Sequence, residues 1–280
     1  MAAHPPVHVT TIAEHDLGVT VTLLGGPTAL LEIGGIRLLT DPTFDDPGSY
    51  PIGTRSLVKT APPAWSADRV GAVDAVLLSH DQHPDNLDSG GRAFLRGAPL
   101  VLTTATAAQR LGGTAVPLPE WQHVELTRPD GRLLRITGVP AQHGPDGCEE
   151  FTGPVTGFVL SGEGVPTVYV SGDNASLAVV RAVADRWKPV DVALLFAGAA
   201  RTALLGGAFL TLTSDEAAQA TRILDVRHVV PLHVEGWEHF TQGPDTLPAA
   251  FERAGVRERL RILPLGISTT LYRDRTDTGR

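Results

Sequence analysis

One stretch of the chain concentrates more polar chemistry than any other: Ser79-His80-Asp81-Gln82-His83-Pro84-Asp85-Asn86-Leu87-Asp88. It directly follows Val73–Leu78, an almost continuous apolar run that is typical of a strand buried on both faces. Neutral imidazoles and carboxylates are ligands for zinc, manganese or iron, and a tight turn can direct several of them to one point. The stretch therefore predicts a metal site at the end of a buried strand.

A simpler interpretation of this stretch is a polar loop whose acidic residues cap the following helix. Such a loop accounts for Asp85 or Asp88 alone, because carboxylates are common helix caps. It gives no reason for His80 and His83 to stand beside them. A metal role explains the four residues together better than capping does.

Three other apolar segments end in the same way, with an imidazole or a carboxylate just past a predicted strand. These residues are His143, Asp173 and His233. Gly172 permits a sharp turn immediately before Asp173. Each residue alone would be an ordinary cap or loop residue. Four such strand ends in one chain predict a single functional site, since α/β folds expose functional groups there.

The remaining pattern predicts an α/β fold, an α+β sandwich in which two sheets pack together with helices outside. Two similar halves would share one core. Asp41–Pro63 and Gly144–Gly153 are rich in Pro and Gly and are predicted as loops. Further strands are predicted at Val19–Leu24, Ala29–Ile33, Ile36–Thr40, Leu100–Thr103, Leu133–Val139, Val155–Leu160, Thr167–Ser171, Val192–Phe196, His228–Pro231, Arg261–Ile262 and Ser268–Tyr272. Helices are predicted at Gly91–Arg96, Thr104–Leu111, Leu177–Trp187 and Pro248–Ala254, and from near Thr213, which forms a capping box with Glu216.

Composition limits the classes of function. The 280 residues have a formal net charge of -8, which argues against a nucleic-acid or anionic-membrane partner. The single cysteine, Cys148, excludes a disulfide within the chain and a cysteine-based zinc cluster. No signal peptide and no run of about 18 apolar residues is present, so we predict a cytoplasmic protein without a membrane span. We expect one domain over residues 1–280, with its core at about 19–272 and a polar tail at 273–280.

The order of these histidine and aspartate residues along the chain resembles the ligand pattern of the metallo-β-lactamase superfamily. In that family a His-x-His-x-Asp-His loop, a later His, an Asp in a Ser-Gly-Asp-type turn and a late His assemble one or two metals. Leu24–Glu32 followed by Leu38–Pro42 is similar to the Gly-His-x-Thr … Asp-Pro opening of one branch. That branch contains ascorbate-6-phosphate lactonase-like and N-acyl phosphatidylethanolamine phospholipase D-like proteins. The resemblance spans roughly residues 19–270 and implies an αββα fold built from two ββα halves.

The resemblance also implies a set of metal ligands, although the loop after Val73–Leu78 departs from the family pattern. Gln82 stands where the second His is expected, and an extra residue shifts the acidic pair to Asp85-Asn86. Asp85 keeps its place as a ligand of the second metal. The positions that match the family ligands are His80, His143, Asp173 and His233.

Two residues of the altered loop could supply the missing metal ligand. His83 can supply the missing imidazole, or Gln82 can ligate through its amide oxygen while His83 serves the substrate. We favour His83, because a proline-marked insertion can redirect a loop by one residue. Asn86 replaces an imidazole in either case, which weakens one metal position. We therefore expect one or two divalent ions, with zinc as the first choice and manganese or iron as alternatives.

A metal site of this kind implies hydrolysis. A divalent ion lowers the pKa of bound water from about 15.7 toward about 7, and the resulting metal-bound hydroxide can attack an ester, a lactone or a phosphodiester. Asp85 or Asp173 is the candidate that takes the water's proton and returns it to the leaving group. Asp81, Asp88 or backbone carbonyls are candidates to hold the ligating imidazoles.

The residues that would contact a small-molecule substrate are less visible. Arg201 follows Val192–Phe196 and is a candidate for an anionic group, with an exposed loop arginine as the alternative. Trp237, His239 and Phe240 follow His233 and could form a pocket wall, or simply a partly buried aromatic loop. His239 is in addition a candidate acid or spare ligand. A homo-oligomer is compatible with the sequence.

A second class of function stays open, namely a single-metal or metal-free member of this fold that binds a small molecule or a partner. Gln82 and Asn86 favour it. No Gly-x-Ser-x-Gly motif supports a serine hydrolase instead. The sequence-based conclusion is a metal-dependent hydrolase. In it, His80→Ala and His143→Ala should lower bound metal, and His239→Ala should not.

Overall fold

Two mixed β-sheets form the centre of the protein, for which a computed structural model describes residues 18–272. The strands in chain order are β1 (Gly18–Gly25), β2 (Thr28–Ile33), β3 (Ile36–Thr40), β4 (Gly48–Ile52), β5 (Arg55–Lys59), β6 (Ala75–Leu77), β7 (Val101–Thr103), β8 (Ala115–Pro117), β9 (His123–Thr127), β10 (Leu133–Pro140), β11 (Thr156–Ser161), β12 (Val168–Val170), β13 (Val192–Phe196), β14 (His228–Leu232) and β15 (Thr269–Tyr272). The helices are α1 (Ala67–Val70), α2 (Ser89–Leu95), α3 (Ala105–Leu111), α4 (Glu149–Thr152), α5 (Leu177–Trp187), α6 (Ser214–Ile223) and α7 (Leu247–Arg253), with 3-10 turns at Ala203–Leu205 and Arg257–Arg259.

The first sheet has the strand order β15-β1-β2-β3-β6-β7-β8. Its first strands are an antiparallel meander, and β3, β6, β7 and β8 then run parallel. The second sheet has the order β14-β13-β12-β11-β10-β9, in which β14, β13 and β12 run parallel and the pairs from β12 to β9 are antiparallel. In both sheets, therefore, parallel strands bring their carboxyl ends to one edge.

The main hydrophobic core lies between the two sheets. Their facing side chains are fully or almost fully buried, as expected for interdigitating inner faces. Helices cover the outer faces: α5, α6 and α7 pack on the second sheet, and α1 and α2 on the first. The result is the αββα arrangement of two halves around one core. Core residues from both sheets include Val21, Leu31, Leu38, Phe158, Leu194 and Val230.

Several predicted elements are confirmed to within two residues, because their apolar pattern or cap is local. Leu177–Trp187 and Val192–Phe196 have the predicted bounds. Thr213 caps α6, and Glu216 completes the capping box because its carboxylate accepts a hydrogen bond from the backbone N–H of Thr213. Among residues 18–272, no helix is both long and apolar enough to cross a bilayer.

Other predictions were wrong. Asp41–Pro63 is not a plain loop but contains the two-stranded hairpin β4–β5, and Gly144–Gly153 contains α4. Arg261–Ile262 is not a strand, although the backbone N–H of Arg261 donates to Val229. The strands β8 and β9, whose burial alternates or is low, were missed. All of these segments lie at edges of the fold, where burial leaves a weak sequence pattern.

A buried ion pair ties the hairpin to the first half. Lys59 at the end of β5 places its Nζ 3.2 Å from Oδ2 of Asp88, and both side chains are almost completely buried. Asp88 also caps α2 by accepting from the backbone of Gly91, and it accepts from the backbone of Phe44 and Asp45. One carboxylate therefore holds a helix terminus, a loop and the hairpin together.

We predict that Lys59→Met lowers the free energy of unfolding by about 3 kcal/mol, because it leaves the Asp88 carboxylate buried without its cation. Denaturant unfolding measures this change. The matched control is Lys188→Met, at the exposed second lysine of the chain. Equal stabilities of the two variants would contradict the structural role of the pair.

Candidate metal centre

The polar strand ends meet at the edge where the two sheets face each other. The loop after β6 supplies His80, His83 and Asp85. His143 follows β10, and Asp173 follows β12. His233 completes the set after β14.

Four of these side chains form a first cluster. Nδ1 of His83 lies 3.0 Å from Nε2 of His80 and 3.2 Å from Nε2 of His143. Oδ2 of Asp173 is 3.4 Å from Nε2 of His143. The four ligand atoms all lie within 4.8 Å of one another. This spacing fits four donors around a single ion.

A second cluster adjoins the first and shares Asp173. Nε2 of His233 lies 3.2 Å from Oδ2 of Asp85, and its Nδ1 lies 3.2 Å from Oδ1 of Asp173. These three side chains are buried and also lie within 4.8 Å of one another. Asp173 therefore faces the first cluster with one oxygen and the second with the other.

The unpartnered atoms of the site fit a metal. Oδ1 of Asp85, Oδ2 of Asp173 and both ring nitrogens of His233 are buried and have no partner in hydrogen-bond geometry. Such atoms are costly in a protein interior unless something else compensates them. Imidazole nitrogens and carboxylate oxygens converging without hydrogen-bond alignment are the donor set of a divalent transition metal. The residues present therefore fit one or two such ions.

Burial sets the protonation of the first cluster. It lowers the pKa of His80 well below its usual value, and the neighbouring His83 lowers it further. Burial, reinforced by the nearby His143, lowers the pKa of His83 to about 4. Both rings are therefore neutral at pH 7 and offer lone pairs to an ion.

The second cluster behaves in the opposite way. Burial opposes the charge of His233, but the carboxylates of Asp173 and Asp85 outweigh it and raise the pKa of this imidazole to about 10. Burial likewise opposes ionisation of Asp85, yet the adjacent His233 and His239 hold its pKa well below the usual value. Without metal, a proton on His233 therefore supplies the positive charge that the two carboxylates require.

Backbone and hydroxyl groups fix the ligand rings. Oγ of Ser79 lies 3.0 Å from Nδ1 of His80, and the carbonyl of Leu210 lies 2.8 Å from Nδ1 of His143. The backbone N–H of Ser79 in turn donates to Asp41 at 2.6 Å. His233 adopts a φ of +56°, in the left-handed region, and its N–H donates to Gly26. Strain of this kind is held at functional sites by surrounding contacts.

The turn at Asp173 has the geometry that its glycine predicts. Gly172 has a φ of +57°, and a Cβ there would lie 2.6 Å from the carbonyl oxygen of Thr156. Only glycine allows the chain to pass this close while directing the next side chain into the site.

The structure does not place the other acidic residues of the loop at the ligating imidazoles. Asp81 pairs with Arg110 and Arg92, and Asp88 pairs with Lys59 and caps α2. The expectation that these two carboxylates hold imidazoles is therefore wrong. The remaining candidate, a backbone carbonyl, does hold His143, and Ser79 holds His80.

The two amides of the loop also lie outside the ligand clusters. The Gln82 amide packs against Gly153, where any Cβ would collide with it. Asn86 is buried, and its Nδ2 donates to Oδ1 of Asp173 at 3.3 Å and to Ser79 at 3.4 Å. Asn86 thus occupies the place of an imidazole but contacts the shared carboxylate as a donor.

A cleft of about 500 Å³, part of it open to solvent, lies over His83, Asp85 and His143. His239 lines it, with Nε2 3.1 Å from Oδ2 of Asp85. Arg201 lines it as well.

Trp237 lies away from the cleft, contrary to the pocket-wall prediction. Its ring is buried and packs against Tyr50 and beneath Lys59. The fold uses this indole to seat the hairpin.

Sequence reasoning missed the contributions of the hairpin and of Ser79. Ile52, Arg55 and Leu57 of β4–β5 line the cleft, yet their segment carries no motif. The signal for Ser79 was its place next to His80, between a buried strand and a ligand. Asp41 belongs to the Asp-Pro pair of the opening that resembles the family, but no role was predicted for it.

Comparison with known proteins fixes the family. A family model described as a beta-lactamase superfamily domain matches residues 36–234. The chain belongs to the beta-lactamase superfamily. The resemblance predicted from the strand ends is thereby confirmed.

Relatives of this superfamily member are named as metal-dependent hydrolases. A UPF0173 metal-dependent hydrolase of Pyrococcus furiosus is 29% identical over 257 residues, covering 90% of this chain and 100% of the relative. One of Pyrococcus abyssi is 30% identical over 177 residues, covering 62% of this chain and 72% of the relative. These names agree with the prediction of a metallo-hydrolase.

Solved structures confirm the fold of the superfamily member. An isothiocyanate hydrolase from Delia radicum gut bacteria has a TM-score of 0.76 at 19% identity, covering 91% of this chain and 100% of that one. A metallo-beta-lactamase fold protein of Bacillus subtilis has a TM-score of 0.58 at 15% identity, covering 90% and 99%. The diiron β-hydroxylase CmlA of Streptomyces venezuelae has a TM-score of 0.63 at 18% identity, covering 91% and 54%. Since these proteins differ in chemistry, the fold alone does not define the reaction.

For protein stripped of metal by a chelator, we predict that the free energy of unfolding falls between pH 6.5 and 4, with His83 contributing about 3 kcal/mol of the loss and His80 adding to it in the same direction. In this window the unfolded chain takes up a proton on His83, whereas burial keeps the folded ring neutral, so acid favours unfolding. Denaturant titrations followed by tryptophan fluorescence measure the effect.

The variant His83→Asn should lose this part of the pH dependence. His123→Asn, which removes a half-exposed imidazole on the edge strand β9, at the opposite edge of the second sheet from β14, should keep it. An unchanged dependence in His83→Asn would show that the His83 ring is not buried in its neutral form.

Proposed function

We propose that this beta-lactamase superfamily member is a metal-dependent hydrolase that cleaves an ester, lactone or phosphodiester bond in a small molecule. The observation that carries the proposal is the pair of buried donor clusters sharing Asp173. They lie at the base of a partly open cleft that is lined mainly by apolar side chains, with a few polar groups converging at its floor, as in small-molecule sites.

In this proposal His80, His83 and His143 hold one ion, with Asp173 as the fourth ligand. The altered loop is thus repaired by His83, and Gln82 is not a ligand. The distances of about 3 Å between the nitrogen of His83 and those of its two partners support this choice.

The second position would use Asp85, Asp173 and His233. Three donors from the protein leave room for water or substrate, as in catalytic zinc sites. Asn86 stands where the family pattern has a histidine ligand, and its amide donates to Asp173 instead of binding the ion. This position therefore binds its ion less tightly than the first. Zinc is the proposed ion, with manganese and iron as the alternatives to be measured.

When bound, such an ion lowers the pKa of a coordinated water and polarises the substrate oxygen under attack. Asp85 is held ionised and can accept the proton of the attacking water. Nε2 of His239 is 3.1 Å from Oδ2 of Asp85 and lines the cleft. We assign His239 to the transfer of this proton to the leaving group, and Asp173 to holding the two clusters in register.

Metal content per chain is the first test, by mass spectrometry on protein purified without chelator, before and after adding zinc, manganese or iron. About two ions per chain would support a binuclear site, and screening should then start with lactones and phosphodiesters. About one would mean that the second position is empty under these conditions. None, even after addition, would refute the hydrolase and favour a binding protein that uses the same cleft.

We predict that His80→Ala and His143→Ala each lose at least about one ion per chain, because each removes one of four donors from the first cluster. His239→Ala should keep its metal and lose activity by about 100-fold, since a positioned acid or base contributes roughly that much. The same measurement on His123→Ala controls for loss of any imidazole. Wild-type metal content in His143→Ala would refute the site as drawn.

A further inference from the structure

The cleft over the metal centre is built largely from segments that carry no donor atoms. The hairpin β4–β5 forms one wall, α4 another, and the segment from Ala200 to Leu210 a third. Only the floor, with His83, Asp85, His143 and His239, belongs to the site described above. The wall side chains therefore indicate which substrates the site binds, and not which reaction it catalyses.

These walls are mainly apolar. Two of the side chains are unusually exposed for their type, Phe151 at 65% and Leu204 at 60% of the full surface. Exposed large apolar side chains grouped around a cleft mark a ligand-binding surface. The apolar side chains of the walls are Ile52, Leu57, Phe151, Leu204, Leu205 and Leu210.

Two arginines break this apolar lining, Arg55 from the hairpin and Arg201 from the facing segment. Nη1 of Arg55 donates to Oγ1 of Thr202 at 2.7 Å, and the guanidinium of Arg201 lies 4.2 Å from the ring centre of Phe209. Within residues 18–272 neither has a carboxylate within ion-pair distance, whereas Arg110 and Arg253 do. Two cations without acidic partners therefore line one cleft in a chain of net charge -8.

We propose that this cleft selects an amphipathic anion: a substrate with an apolar body and a carboxylate or phosphate group. The apolar body packs against the walls, and Arg55 and Arg201 bind the anionic group from opposite sides of the cleft. Guanidinium groups suit this task because their planar N–H donors match carboxylate and phosphate oxygens. The inference rests on the proposed function in that it names the substrate class for the same site.

The probes are 4-phenylbutyrate, 4-phenylbutylphosphonate and the neutral 4-phenyl-1-butanol. None contains an ester bond, so none is consumed, and the two anions distinguish a carboxylate site from a phosphate site. Isothermal titration gives each Kd for the full chain, both metal-free and zinc-loaded. We expect at least one anion to bind more tightly than the alcohol in both forms.

Arg55→Gln and Arg201→Gln should each raise the Kd of that anion about threefold, as expected for partly exposed charge pairs. The Kd of the alcohol should not change. Arg253→Gln, which removes an equal charge on the distant helix α7, should leave every Kd unchanged. Anion binding that is insensitive to both cleft arginines would overturn the proposal.

The apolar walls are tested separately. Leu204→Ser should weaken all three probes alike, whereas Ile267→Ser, at a similarly exposed side chain outside the cleft, should weaken none. Equal effects of the two substitutions would also overturn the proposal.

Failure of the two proposals gives different results. A chain that binds zinc but shows no arginine-dependent anion binding keeps the hydrolase and loses the subsite. A chain that binds the anion through Arg55 and Arg201 but never takes up metal keeps the subsite and loses the hydrolase.

Discussion

The carboxylate of Asp173 is the interaction on which the rest of the site depends. One oxygen lies 3.4 Å from His143 and the other 3.2 Å from His233. These imidazoles follow strands at different positions of the second sheet, and His80 and His83 arrive from the first sheet. A buried carboxylate needs compensating charge. Asp173 therefore depends on the positive charge of His233 from its own sheet and on the hydrogen bond from Asn86 of the first half.

Proton and metal ion compete for this role. Without metal, His233 carries the charge, because Asp173 and Asp85 raise the pKa of its ring to about 10. His80 and His83 stay neutral, since burial lowers the pKa of both rings. One cluster thus contains a protonated imidazole, whereas the other contains neutral imidazoles whose lone pairs are available to an ion. This division explains how the six donor side chains are tolerated together at the site.

The sequence predicted the parts of this arrangement that depend on local pattern. Each donor-bearing strand end follows a buried apolar run, so His80, His143, Asp173 and His233 could be picked out without a structure. The partners of Asp81 and Asp88 could not, because Arg110 and Lys59 each lie 29 residues away from them along the chain. The hairpin β4–β5 was also out of reach, since its register against Trp237 is a tertiary contact. Whether Gln82 or His83 faces the centre likewise depended on the path of the loop.

The ion pair between Lys59 and Asp88 has a further consequence for the wall of the cleft. Lys59 is one of two lysines in the chain, and its amine is shielded while Lys188 is exposed. The hairpin cannot swing away from the cleft without separating this pair and wetting the amine. The rate at which a water-soluble reagent acylates Lys59, relative to the rate at exposed Lys188, would therefore measure how often the hairpin opens. Lys59 is thus a natural chemical probe of the opening of this wall of the cleft.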